Sequence, residues 1–217
     1  MSLNKFKIRH TVKTLLIIGG DSHDFRSCSE IISTELEHDG IFDHKVCNDL
    51  SEGLNMLRKD IKLLILFYCG GKLKVKEEEI LTEWVHSGGG FLGIHSAAAS
   101  FRGSGSYERL LGCRYRGHTD YAAFQLDIKR GLHPALSELK KNKYLLFDEI
   151  YLADIIGKVE VLASAKLSGK EIPLVWAAER GRGRIFFIGP GHTPEACRQD
   201  AFAGLLRGGS RWVSGLC

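Results

Sequence analysis

Through the first half of the chain, short apolar runs alternate with segments whose apolar positions recur every three or four residues. That alternation builds a parallel sheet covered by helices. The first run, Thr14 to Gly19, ends in Gly19-Gly20-Asp21. A helix is predicted from Ser27 to His38, with Ile31, Ile32 and Leu36 on one face. Phe42 to Cys47 reads as a weaker strand, and Ser51 as the capping residue of a short helix that turns Leu54 and Leu57 inward. Leu63 to Cys69 is almost unbroken apolar sequence, as expected of a strand with helices on both faces, and Gly70-Gly71 ends it. From Lys76 to Ser87, Ile80, Leu81, Trp84 and Val85 recur at helical spacing, and Gly88, Gly89 and Gly90 stop the helix. The next strand, Phe91 to Ile94, runs directly into His95-Ser96-Ala97-Ala98-Ala99, a helix-forming segment.

The second half changes character. Phe124 to Ile128, Lys158 to Ala165, Leu174 to Ala178 and Arg184 to Ile188 read as antiparallel strands. A closing helix near Cys197 to Val213 buries Phe202, Leu205, Leu206, Trp212 and Val213, and Gly103 to Ser106 reads as a flexible loop. The fold class expected is therefore α/β, three layers around a mainly parallel sheet, with some antiparallel strands late in the chain. At 217 residues the chain is long enough for one core and short for two, so a single domain over 1–217 is expected.

Composition narrows the function classes. Apolar residues at 44% and charged residues at 26% exclude disorder along most of the chain. A net charge of +4, thinly spread, points to no nucleic-acid partner. Leu63 to Tyr68 falls far short of the roughly 20 residues that span a bilayer, and Leu15 to Ile18 is too short for a secretion signal, so no membrane partner and a cytoplasmic location are expected. The six cysteines show no C-x-x-C spacing and read as reduced thiols.

Ligands of parallel sheets bind beyond the carboxyl ends of the strands, so the residues just after each strand carry the candidate chemistry. Gly19-Gly20-Asp21-Ser22-His23-Asp24 lacks the G-x-G-x-x-G pattern of a dinucleotide loop and offers His23 instead. The junction Gly93-Ile94-His95-Ser96-Ala97 has the form of a nucleophile elbow, whose sharp turn tolerates only small residues two positions either side of the apex. Gly93 and Ala97 fit an apex at His95, whereas an apex at Ser96 would place Ile94 in the turn, which argues against a serine hydrolase. A neutral imidazole held there can accept a proton or bind a metal. Phe147-Asp148-Glu149-Ile150-Tyr151 sets two carboxylates in an apolar stretch, where burial would raise their pKa toward the range useful in acid–base chemistry. Gly189-Pro190-Gly191-His192 turns tightly after a buried strand and directs His192 into the same crevice. His133, followed by Pro134, fits a helix start and reads as structural.

The ordered series Gly88-Gly89-Gly90-Phe91-Leu92-Gly93-Ile94-His95-Ser96, His133-Pro134, Asp148-Glu149-Ile150-Tyr151, Pro173-Leu174-Val175-Trp176, Gly181-Arg182-Gly183-Arg184-Ile185-Phe186, Gly191-His192 and Arg211-Trp212 resembles the ThuA-like (trehalose utilisation) family, over Leu15 to Ser214. The resemblance implies a class I glutamine amidotransferase-like fold with a flavodoxin-like sheet. In the amidotransferases the elbow carries a catalytic cysteine. The matching residue here is His95, and Cys69 lacks the elbow context, so glutamine hydrolysis is not expected. Gly70-Gly71 corresponds to the loop that supplies oxyanion contacts in those enzymes and could hold a sugar hydroxyl or carbonyl oxygen.

The family's association with carbohydrate utilisation implies a small carbohydrate as ligand. Arg102 to Ser106 and Arg116 to Thr119 depart from its pattern and leave the particular sugar open. As an enzyme, the protein would bring His95, Glu149, His192 and His23 together to move protons on a sugar or keto-sugar, with Asp24, Gly70, Gly71, Ser96, His118 and Tyr151 on the substrate side. This reading leaves room for a divalent metal and for a homo-oligomer. As an alternative, the fold would serve as a non-catalytic sugar-binding or assembly module.

Overall fold

The computed structural model describes residues 11–57, 60–129 and 133–217. Strand β1 (Val12–Gly20) sends Leu16 and Ile18 into one hydrophobic core and Leu15 and Ile17 into another. β3 (Leu63–Cys69) does the same with Leu63, Ile65 and Phe67 against Leu64 and Leu66. Successive side chains of a strand point to opposite faces, so apolar residues at every position are buried only where both faces are covered. α1 (Phe25–Glu37) and α6 (Asp200–Val213) close the first core. The second is closed by α2 (Leu50–Met56), α3 (Val75–His86) and α4 (Gly105–Leu111).

β2 (Phe42–Cys47), β1, β3, β4 (Gly90–Ile94) and β11 (Gly183–Ile188) lie side by side and parallel. Numbered as five parallel strands, their order is the 2-1-3-4-5 of flavodoxin-like doubly wound sheets. Beyond β11 the sheet continues antiparallel through β10 (Lys170–Arg180), β9 (Glu160–Leu167), β6 (Ala122–Ile128) and β7 (Lys143–Asp148). A separate antiparallel ribbon pairs β5 (Cys113–His118) with β8 (Tyr151–Ile155) and contributes Cys113 and Tyr151 to the second core. No helix among the described residues is long and apolar enough to cross a membrane.

Several local expectations change. Asp49, not Ser51, caps α2, its carboxylate accepting the Glu52 amide at 2.7 Å, while the Ser51 hydroxyl donates to Glu77. The helix therefore starts at Leu50, two residues earlier than a cap at Ser51 would place it. The stretch read as a flexible loop contains the start of α4, whose first turn is capped by Ser104 through the Tyr107 amide. The closing helix is two helices, α5 (Pro194–Cys197) and α6, because the chain leaves helical geometry at Gln199. Arg184 to Ile188, placed among the antiparallel strands, is antiparallel to β10 but parallel to β4, and so joins the two halves of the sheet.

His133 is structural, as its Pro134 neighbour suggested: its Nδ1 accepts the Ala135 amide at 3.2 Å and caps the short 3-10 helix Pro134–Leu136. Burial lowers its pKa below the ordinary value, and Arg184 adds to this against the opposing charge of Glu160. A depressed histidine contributes fully above the unfolded pKa of about 6.5, and its contribution declines as pH falls from there through the folded pKa. The expected result of urea titrations from pH 8 to pH 5 is a loss attributable to this residue of at most about 1 kcal/mol, since it stays half in contact with water. His133→Gln, which keeps an acceptor that cannot be protonated, should flatten the profile by that amount; parallel profiles would show that the cap tolerates protonation.

Candidate functional site

The parallel register sets the site. Ile94 of β4 lies opposite Ile188 of β11, so the residues that follow them, His95 and Gly189, leave the sheet side by side. Gly20 of β1 lies opposite Cys69 of β3, which puts the turn carrying His23 next to Gly70. His95 takes φ +45° at the strand-to-helix turn, a left-handed conformation that costs a non-glycine residue energy and marks the elbow apex. A Cβ on Gly93 would stand 3.3 Å from the Ala97 Cβ, so the need for small residues on both flanks is met as expected. The segment that follows, His95–Ala99, is a 3-10 helix.

From that elbow the fully buried His95 ring donates from Nδ1 to the Gly189 carbonyl at 2.7 Å. A carbonyl only accepts, so the proton sits on Nδ1, and Nε2 faces inward, 3.2 Å from His192 Nδ1 and 3.6 Å from Glu149 Oε2. Glu149 Oε2 is also 3.3 Å from His192 Nδ1, and its other oxygen, Oε1, is 3.3 Å from Nδ1 of the partly exposed His118. The His23 ring lies 5.2 Å from that of His95 and 4.8 Å from that of His192. Its Nδ1 meets the Asp21 carbonyl at 3.2 Å. One ring nitrogen from each of His23, His95 and His192 lies within 4.8 Å of the others. His23, His95, Glu149 and His192 therefore meet in one place.

Asp148 holds this place together. Its carboxylate is fully buried and accepts the amides of Glu149 at 2.8 Å, Gly191 at 2.6 Å and His192 at 3.3 Å. It thereby ties the end of β7 to the loop after β11. Burial raises its pKa above the usual carboxylate value, against the charge of His95 and these backbone hydrogen bonds. Glu149 departs from expectation. Burial, its largest single influence, pushes upward, but the proximity of His95, then of His192 and His118, brings it below the usual value. Burial, then repulsion from His95, pushes His23 down to about 4. The same two causes lower His192.

The remaining candidates divide. Tyr151 is buried with its ring 3.9 Å from that of His95, and His118 stacks over the Tyr151 ring at 5.9 Å. Burial, reinforced by the Tyr115 phenol, holds the Tyr151 hydroxyl protonated by raising its pKa. Gly70 and Gly71 follow β3 at φ +74° and +70°, and the Gly70 carbonyl accepts the Phe101 amide. Ser96 is fully buried next to the elbow and its hydroxyl has no hydrogen-bond partner. Asp24 is exposed and spends its carboxylate as the cap of α1, accepting the Ser27 amide at 3.0 Å.

Two contributors escaped the sequence reading: Tyr115 packs its ring 5.0 Å from Tyr151, and Tyr121 lies 6.1 Å from His192. Asp148, expected as one of two acid–base carboxylates, instead supplies the clamp. The alternation of Arg114, Tyr115 and Arg116 before Gly117-His118 could have signalled the strand that carries Tyr115, whereas Tyr121 had no local signal.

A family model described as ThuA: Trehalose utilisation matches residues 14–213. A protein from Parabacteroides merdae described as ThuA-like superposes with a TM-score of 0.82 at 23% identity, over 94% of this chain and 90% of that one. A second, from Bacteroides uniformis, gives a TM-score of 0.78 at 18% identity, over 98% and 95%. A β-galactosidase from Bacillus circulans gives 0.63 at 12% identity, over 90% of this chain but 30% of that one. At these identities the likeness is one of fold. No curated protein matches the sequence.

Proposed function

The chain belongs to the ThuA (trehalose utilisation) family, and on that premise we propose that it acts in the cytoplasm on a small carbohydrate, a sugar or keto-sugar, with Glu149 as the carboxylate that moves the proton. The observation that carries this reading is the setting of Glu149: its two oxygens face opposite ways. Oε2 is held against buried His95 and His192, and Oε1 faces partly exposed His118. A carboxylate so placed has one oxygen beside buried imidazoles and one beside an imidazole that reaches solvent, a setting suited to taking a proton from a bound molecule and passing it on. The partly exposed ring of Tyr115, backed by buried Tyr151, and the exposed ring of Tyr121 beside His192 offer flat apolar faces against which the C–H faces of a sugar pack.

The test is a thermal-shift screen of the protein against disaccharides and their oxidised derivatives. Each stabilising compound is then incubated in deuterated water and followed by NMR. Stabilisation with deuterium uptake or product formation is the expected result. Stabilisation without any chemical change would make the protein a sugar-binding module, and no response from any carbohydrate would overturn the reading.

An imidazole at the elbow cannot form the thioester of glutamine amidotransferases, so no ammonia release from glutamine is expected. Ammonia release that disappears on replacing any one cysteine would contradict this assignment of the elbow.

A further inference from the structure

We propose that His23, His95 and His192 form a three-imidazole site for a first-row divalent cation, zinc foremost. The proposal rests on the carbohydrate reading only for what meets the ion there. The ion itself is argued from geometry.

Zinc–nitrogen bonds of about 2.0–2.1 Å in tetrahedral array set neighbouring nitrogens about 3.3 Å apart. His95 Nε2 and His192 Nδ1 already stand at 3.2 Å, and with all three nitrogens within 4.8 Å a shift of His23 by at most about 1.5 Å completes the set. Two of the three rings carry their protons on the far side, and His192 Nδ1, which faces the acceptors His95 Nε2 and Glu149 Oε2, gives up its proton when the ion binds. His95 Nδ1 donates to the Gly189 carbonyl and His23 Nδ1 to the Asp21 carbonyl, which leaves both Nε2 lone pairs turned inward. Backbone carbonyls orient metal-binding histidines in this way.

His23 Nε2 is buried and finds no hydrogen-bond partner. A buried acceptor left unpaired is unfavourable and calls for an explanation, and a cation supplies one. Three neutral nitrogen donors select zinc, cobalt, nickel or iron over magnesium or calcium, whose preference is for oxygen.

Three protein ligands leave open positions on such an ion. A keto-sugar can fill them with its carbonyl oxygen and the neighbouring hydroxyl. Glu149 then takes the proton from the carbon that bears that hydroxyl. The C–H electron pair becomes the C=C bond of an enediol(ate), and the carbonyl pair moves to the oxygen facing the cation. No oxidant or reductant enters.

The experiment uses the full chain, purified without chelator and analysed for metal content. It is then stripped and titrated with zinc against a chromophoric competitor, and with cobalt while its visible spectrum is recorded. About one equivalent of metal per chain and a cobalt band of reduced coordination number are expected. His23→Gln and His192→Gln occupy partly exposed positions and should fold, which a thermal melt checks. Each should weaken zinc by more than the roughly 10–100-fold that loss of an outer-shell partner costs, and should abolish the cobalt band. Native protein that holds no zinc, or zinc affinity unchanged in both folded variants, would overturn the site. Thermal shifts with carbohydrate, read with and without zinc, separate the two readings. Carbohydrate stabilisation without any zinc binding removes the metal alone, and zinc binding without any carbohydrate response removes the carbohydrate alone.

Discussion

Replacing Glu149 by glutamine is expected to lower turnover of the carbohydrate substrate by about 10² to 10⁴-fold, the usual contribution of a positioned general acid–base group. Glutamine keeps the volume and can still hydrogen-bond, but it cannot accept a proton and carries no charge toward His95, His192 and His118. The loss should therefore fall on kcat rather than KM. His118→Asn should cost much less, because water can take over a relay at an exposed position. Solvent-deuterium uptake measured for both variants separates the two roles. Turnover in Glu149→Gln within tenfold of the native rate would take Glu149 out of the proton transfer.

The second large effect is on stability. Asp148→Ala removes a fully buried carboxylate and leaves the amides of Glu149, Gly191 and His192 without their acceptor. Each buried donor left unpaired costs about 1–3 kcal/mol, and part is recovered as the loop relaxes, so a total of about 3–5 kcal/mol is expected. Asp148→Asn keeps one accepting oxygen but turns an NH₂ group toward backbone donors, and its loss should be intermediate. Urea unfolding of the two variants measures this directly. At temperatures where Asp148→Ala still folds, its activity should be low, because His192 rides on the loop that the carboxylate holds. A loss below about 1 kcal/mol would mean that the β4–β11 register alone fixes the loop.

The parts of the fold that were legible are those written in short periods. β1, β3 and β4 bury both faces and are continuous in apolar residues. α1, α3 and α6 repeat their apolar positions at helical spacing. The ribbon β5–β8 was not legible, because its first strand is half exposed and pairs Cys113 with Ile155, far along the chain. β7 was missed for a related reason: Leu145 and Phe147 are exposed, so the strand lacks the polar outer face that would mark it.

In the site, the sequence by itself determined that His95 stands at the elbow, since the fit of Gly93 and Ala97 around it is a matter of adjacent residues and turn sterics. It also placed His23 and His192 after strands, and Glu149 in an apolar stretch. What only the tertiary structure decided is that these groups face one another. His95 and His192 are brought within hydrogen-bonding reach by the parallel pairing of two strands nearly a hundred residues apart, and Glu149 by a carboxylate clamp from β7. It also decided the direction in which Glu149 titrates: burial alone would raise its pKa, and only the assembled histidines turn it downward. Periodicity reports which side of an element is apolar. Which elements become neighbours, and in what register, is settled by packing summed over the whole core.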